Sequence, residues 1–290
     1  MLWLLLFTWV QASYADRKDL DTPTSHFSYA SPSPSEMLPL VTGTPSGVFV
    51  SVESDRGLVG AALHAATTDL LFLDTDDASQ RFNRINVELL AHAATPEEYQ
   101  RLRYAKESET WVEALGKGKT EFVRQAVAEK FKWWSKHLDR SSKEADPLRD
   151  PALYSKMHKM ALDGRIRSRQ MDPLNNVAEL RKVADQLSSS GKKISVLDLG
   201  RQWSFHQGDK RIQGWVEGLR HALDSDRSVV LLNGQFNDVY EYVAISPQSF
   251  EEGYASRLVH HFSAGVIPKN LRTSARLSCS PFFGSLPEQI

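Results

Sequence analysis

Cysteine is nearly absent from this chain of 290 residues, with Cys279 standing alone. A single thiol can close no disulfide within the chain and build no cysteine-based metal site. An excess of either charge is also lacking, since 35 Lys and Arg are balanced by 36 Asp and Glu. The resulting net charge of −1 gives no global field to draw the protein to nucleic acid or an anionic membrane. No His-x-x-x-His, Gly-x-Ser-x-Gly or Cys-x-x-Cys occurs, so a helical zinc site and a serine-hydrolase elbow have no support. Adjacent His260 and His261 are poorly spaced to ligate one metal from a helix.

Long apolar runs are scarce as well. Leu2 to Val10 is uncharged and apolar, but it is about half of the roughly 20 residues that span a bilayer. It is followed by Ser13 and Ala15, small residues at the −3 and −1 spacing of a signal-peptidase site, so cleavage is expected before Asp16. No basic residue precedes the run, and no Cys follows it to carry a lipid anchor. The expectation is a signal peptide over residues 1–15 and a periplasmic or secreted protein without stable membrane insertion.

What is present is globular: 41% hydrophobic and 24% charged residues, enough for one large domain or two small ones. Residues 16–45 are rich in Ser, Pro and Thr, as in Ser31-Pro32-Ser33-Pro34-Ser35, and read as a linker or arm. From Gly47 the pattern changes. Gly47 to Val52 is a β-branched run suited to a buried parallel strand; a polar turn over Glu53 to Gly57 and a helix over Leu58 to Ala66 follow. Leu70 to Leu73 is a second strand ending at Asp74, which completes a βαβ unit. Phe82, Ile85, Leu89 and Ala93 then mark one face of a helix over residues 78–92.

Thr95-Pro96-Glu97-Glu98 is a capping box opening the next helix. Residues 101–140 read as helical, moderately basic and Trp-bearing, and about 101–160 as a helical insertion. Strands are expected at Arg165 to Gln170, Ile194 to Leu199, Ser228 to Leu232 and Val239 to Ile245. Helices are expected at Asn176 to Leu187 and Val216 to Leu223, and a late capping box at Ser249 to Glu252. Alternation of this kind predicts an α/β fold: a doubly wound, mostly parallel Rossmann-like sheet over residues 46–290.

Ligands of such sheets bind beyond the carboxyl ends of the strands, near the switch in strand order. The residues placed there are Glu53, Ser54, Asp55 and Gly57 after the first strand and Asp74, Thr75 and Asp76 after the second. Asp172 follows the third, Asp198 lies in or after the fourth, and Asn233 follows the fifth. Asp74 and Asp76 also suit a simpler role, capping the helix that follows.

This set resembles the class I S-adenosylmethionine-dependent methyltransferases. The resemblance implies an acidic, Gly-rich first turn near the methionine part of the cofactor, a role for Gly57. It implies a carboxylate ending the second strand on the ribose hydroxyls (Asp74) and a third acidic residue facing the adenine amino group (Asp172). The first turn departs from the family pattern of three close glycines, offering Gly57 and Gly60 with Ser54 and Arg56 beside them. More narrowly, Gly47 to Asp55, Leu70 to Asp74, Asn83 to Leu90, Ile194 to Leu199 and Asp226 to Leu231 resemble a leptospiral-type group of uncharacterised bacterial methyltransferase-like proteins. Membership implies a fold, not an established reaction; an S-adenosylmethionine cofactor is what the wider methyltransferase resemblance implies.

Three functional classes follow. One is an exported methyltransferase acting on a small molecule. Another is a non-catalytic exported binding module that kept the fold and lost the cofactor. A third uses Asp74-x-Asp76 as the metal-holding pair of a nucleotide-sugar glycosyltransferase, with Mn²⁺ against a diphosphate. Leu115 to Thr120 ends like a phosphate-binding P-loop, but Glu113 stands where its first glycine belongs and the preceding segment reads as helix.

Overall fold

The computed structural model describes residues 37–52, 54–74, 77–105, 107–115, 147–171, 176–200, 217–223, 227–236 and 239–247. The expected signal peptide, Trp133 and Trp134, and the capping box at Ser249 lie outside the described residues. The chain is α/β, with a Rossmann-like doubly wound sheet. Strands β1 (Gly47–Ser51), β2 (Thr67–Asp74), β3 (Ile166–Gln170), β4 (Ile194–Gly200), β5 (Val229–Phe236) and β6 (Val239–Ile245) lie in the order β3-β2-β1-β4-β5-β6. The first five run parallel and β6 turns back antiparallel on β5. The order therefore switches between β1 and β4.

Alternate side chains of each strand enter two separate cores. Phe49, Leu70, Phe72, Val196 and Leu231 face one, while Val48, Val50, Leu73, Leu197 and Val230 face the other. Both faces are covered, which is why these strands read as continuous apolar runs. The first face packs on helices α2 (Ser54–Leu63), α3 (Asp77–His92) and α6 (Pro151–Leu162). The second packs on α7 (Val177–Ser189) and on Leu219, Ala222 and Leu223. Each such buried Leu, Val or Phe contributes roughly 1.5–3 kcal/mol of transfer free energy.

The helix starts follow local chemistry. Thr95 opens α4 (Pro96–Arg103) by accepting from the Glu98 amide at 3.1 Å, while the Glu98 carboxylate accepts from the Ala94 amide at 2.8 Å. Asp150 caps α6 through the amides of Ala152 and Leu153, and Asn176 caps α7 through that of Glu179.

Helix α6 also supplies donors to the ends of two others. Lys156 Nζ donates to the carbonyls of Ala61 (2.7 Å) and His64 (2.6 Å) at the end of α2. Tyr154 Oη donates to Ala93 and His158 Nδ1 to Leu90, at the end of α3. These are the last-turn carbonyls a helix cannot satisfy itself. Burial, then the neighbouring charge of Arg165, lowers the Lys156 ammonium to about 8. Burial, then the charge of Glu98, raises the Tyr154 hydroxyl to about 12.

Five expectations are corrected here. The linker does not extend to residue 45: a short helix, α1 (Leu38–Val41), buries Met37 and Val41 in the first core. The first connection is not a five-residue turn, because α2 begins at Ser54 and already contains Gly57. The helical insertion is not continuous from residue 101. Helix α4 ends at Arg103, α5 covers Ser108–Leu115, and a 3₁₀ turn at Pro147–Arg149 precedes α6. Trp111 on α5 ties the two helices together, its indole donating to the Leu102 carbonyl at 2.5 Å. Strand β5 runs through Asn233, which pairs with Tyr242 inside the hairpin instead of ending the strand. Finally, the helix expected to run to Leu223 ends at Leu219, with a turn over 220–222.

Candidate functional site at the strand switch

The crevice of a doubly wound sheet opens between the two strands where the order reverses, here β1 and β4. Ser51 at the end of β1 stands in register with Asp198 of β4. Asp198 is fully buried, within the apolar sequence Leu197-Asp198-Leu199, and a carboxylate there must be paired. Its partner is Arg56, in the first turn of α2. Arg56 Nε donates to Asp198 Oδ2 at 3.1 Å and Nη2 donates to Oδ1, a two-pronged pair; Ser51 Oγ adds a bond at 3.3 Å. The resemblance calls for a glycine here. The structure instead pairs an arginine side chain with the β4 carboxylate beside the strand switch.

Gly57 has a structural duty. A Cβ added to it would lie 2.5 Å from Ser51 Cβ and 2.9 Å from the Phe72 ring. It lets α2 pack directly on β1 and β2, and it lies inside the helix, not in a cofactor-cradling loop as expected. Helix propensity would favour alanine by about 1 kcal/mol, but crowding of this kind costs about 1–3 kcal/mol. With the clash falling on packed neighbours, Gly57→Ala is expected to lower stability by about 1 kcal/mol net in urea titration.

Asp74 is the last residue of β2, one strand from β1, in register with Gln170 of β3. Ser54 and Asp55 open α2. Glu53, Thr75, Asp76 and Asp172 lie outside the described residues. So Ser51, Arg56, Gly57 and Asp198 are brought together at the switch, and Asp74 ends the neighbouring strand. Among the described residues no group of three or more His, Cys, Asp or Glu gathers as a metal site, and no helix is long and apolar enough to cross a membrane.

A second polar group went unread in the sequence. Gln80, Asn83 and Asn86 recur every third residue of α3, and all three are buried. Asn86 Oδ1 accepts from Tyr99 Oη at 2.7 Å, and that oxygen accepts from Arg103 Nη1 at 2.9 Å. Arg103 is buried, its guanidinium 5.8 Å from the Tyr99 ring and 5.5 Å from that of Tyr104. Asn86 meets α4 through Tyr99, and the missed signal was three amides at spacing i, i+3, i+6 beside the apolar stripe.

Comparison with known families adds one match. A family described as "Domain of unknown function (DUF7790)" matches residues 39–210, more than half of the chain. The chain belongs to this family. The matched stretch runs from α1 through β4, so Arg56, Asp74, the amide row and Asp198 all fall inside the DUF7790 domain, while β5 and β6 follow it. No curated protein matches the chain.

Proposed function

We propose that this exported DUF7790 protein binds a nucleoside-bearing ligand of the S-adenosylmethionine type, and methylates a small molecule from it. The ligand lies beyond the carboxyl ends of β1 and β2, with Asp74 accepting hydrogen bonds from the ribose hydroxyls. What carries this reading is the strand order: it switches between β1 and β4, and the strand beside β1 ends on a carboxylate. Two adjacent hydroxyl donors suit the two acceptor oxygens of one carboxylate. No catalytic base is assigned, because methyl transfer depends mainly on aligning nucleophile and methyl group. The test is calorimetric titration of residues 16–290 with S-adenosylmethionine and S-adenosylhomocysteine. Asp74→Ala is expected to weaken binding at least about tenfold, the effect of about 1.4 kcal/mol of lost hydrogen bonding. No heat at millimolar ligand would sink this reading.

A second reading draws on a different observation. The Arg56–Asp198 pair occupies the switch-point crevice with its own side chains, as in a module that kept the fold without the cofactor. Calorimetry separates the two, since the second reading expects no binding of either ligand.

A further inference from the structure

Strand β3 is an outer strand: among the described residues it pairs with β2 on one side and with no strand on the other. The Leu70 amide donates to the Arg165 carbonyl at 2.9 Å. Main-chain groups of successive strand residues point to opposite sides, so those of Ile166, Ser168 and Gln170 face outward. Such an edge is a template for one more strand. The space beside its start is open, since a Cβ added to Gly164 (φ 66°) would meet no atom within 4 Å. The side chains say which strand fits. Ile166 enters the first core, so Arg165, Arg167 and Arg169 recur on the opposite face, about 6.6 Å apart along the chain. Arg165 shares Asp163 with Lys159, and Arg169 shares Glu179 of α7 with Lys182. Arg167, exposed between them, reaches the Gly164 carbonyl of its own turn at 3.3 Å. Five cations thus share two carboxylates, and the excess is positive. On the other face the Ser168 Oγ is buried without a hydrogen-bond partner. Charge disfavours a second copy of the strand, because antiparallel pairing about Arg167 sets Arg165 against Arg169 and Arg167 against itself.

We infer that the β3 edge takes an extended acidic segment of a partner protein, with Asp or Glu at every second position. Main-chain hydrogen bonds to Ile166, Ser168 and Gln170 hold the added strand, and its carboxylates meet the three arginines across the strand pair. A hydroxyl on its other face gives Ser168 the partner it lacks. The edge lies two strands from β1 and the switch, and the inference does not depend on the ligand proposed there.

The experiment measures fluorescence anisotropy of the labelled peptide Thr-Glu-Thr-Glu-Thr-Glu-Thr on the full chain, with melting temperatures alongside. The isomer Thr-Thr-Thr-Thr-Glu-Glu-Glu has equal charge without the alternation, and is expected to bind at least about tenfold more weakly. Arg167→Glu is expected to weaken the alternating peptide by about tenfold or more at an unchanged melting temperature, since the side chain is exposed. Arg167→Gln is expected to weaken it less. N-methylation separates strand pairing from charge. Methyl groups on the glutamate amides block one edge of the peptide, and methyl groups on the threonine amides block the other. One of these two peptides is expected to lose binding and the other to keep it, which also reports the direction of the added strand. Equal binding of the alternating peptide and its isomer, the same response to both methylated peptides, or no binding at millimolar peptide overturns the inference. So does tighter binding of an oligothymidylate of equal charge, which would make the arginines a phosphate-binding stripe. A dimer of the free chain that Arg167→Glu dissolves would also overturn it and make the edge a contact between copies.

Discussion

Asp198→Ala is expected to destabilise the protein by about 3–5 kcal/mol, because it leaves the Arg56 guanidinium buried without its carboxylate. The Arg56 side chain is 6% exposed and that of Asp198 0%, so water cannot replace the lost partner without opening the junction of α2 and β4. That loss is a large fraction of the roughly 5–15 kcal/mol by which domains are stable. The paired replacement behaves differently. Arg56→Met with Asp198→Leu removes both charges and both desolvation penalties, and such exchanges are often neutral or favourable by about 1–4 kcal/mol. A double-mutant cycle by urea denaturation reads the difference: a large cost for Asp198→Ala alone, and recovery in the double variant. A cost below about 1 kcal/mol for the single variant would mean that the pair behaves like an exposed ion pair and does not close the crevice.

Why this pair was invisible in the sequence is a matter of distance. Arg56 and Asp198 are 142 residues apart, and nothing local says that one guanidinium meets one carboxylate. What was legible was the demand, since Leu197-Asp198-Leu199 puts an acid inside a strand buried on both faces, where it must have a partner. The strands themselves were readable for the same reason that they are stable. Phe49 and Val50 enter opposite cores, so β1 has no polar face to interrupt it. The capping residues Thr95 and Asn176 act within a few residues and so were readable too. Gly57 misled because glycine signals a turn locally, whereas here its missing Cβ answers to Ser51 and Phe72 across the packing interface. Met37 and Val41 misled in the opposite direction. A Ser- and Pro-rich neighbourhood reads as an arm, yet these two apolar residues suffice to anchor α1, with the Met37 sulfur against the position where a Gly60 Cβ would lie. Gln80 and Asn83 were lost to a general assumption that the polar side of an amphipathic helix faces water, which α4 and α5 overturn by covering α3.

Acidification below neutral pH is expected to weaken the fold through His64. Its ring bridges two threonines: Nε2 lies 2.7 Å from Thr44 Oγ1 and Nδ1 lies 2.8 Å from Thr67 Oγ1. The Thr44 hydroxyl already donates to the Val41 carbonyl at 2.9 Å, so it must accept from Nε2–H. Nδ1 is then the acceptor of the Thr67 hydroxyl, and the neutral ring joins the end of α1 to the start of β2. Burial, then the nearby Lys156 charge, lowers the imidazole to about 4 from its ordinary 6.5. The folded state thus binds this proton less readily than the unfolded state. Its contribution is complete above pH 6.5, falls as pH drops toward 4, and changes no further below that. At about 1.4 kcal/mol per unit, the span corresponds to at most about 3–4 kcal/mol. Carboxylates add their own acid dependence, so the measurement is a difference: urea midpoints of wild type and His64→Gln at pH 7 and at pH 4. A glutamine side chain at this position keeps a donor and an acceptor without a titrating ring, and the variant should lose less stability between the two pH values than the wild type. Equal losses in both proteins would mean that the histidine takes up its proton without strain. The bridge from Thr44 to Thr67 would then tolerate a charged ring.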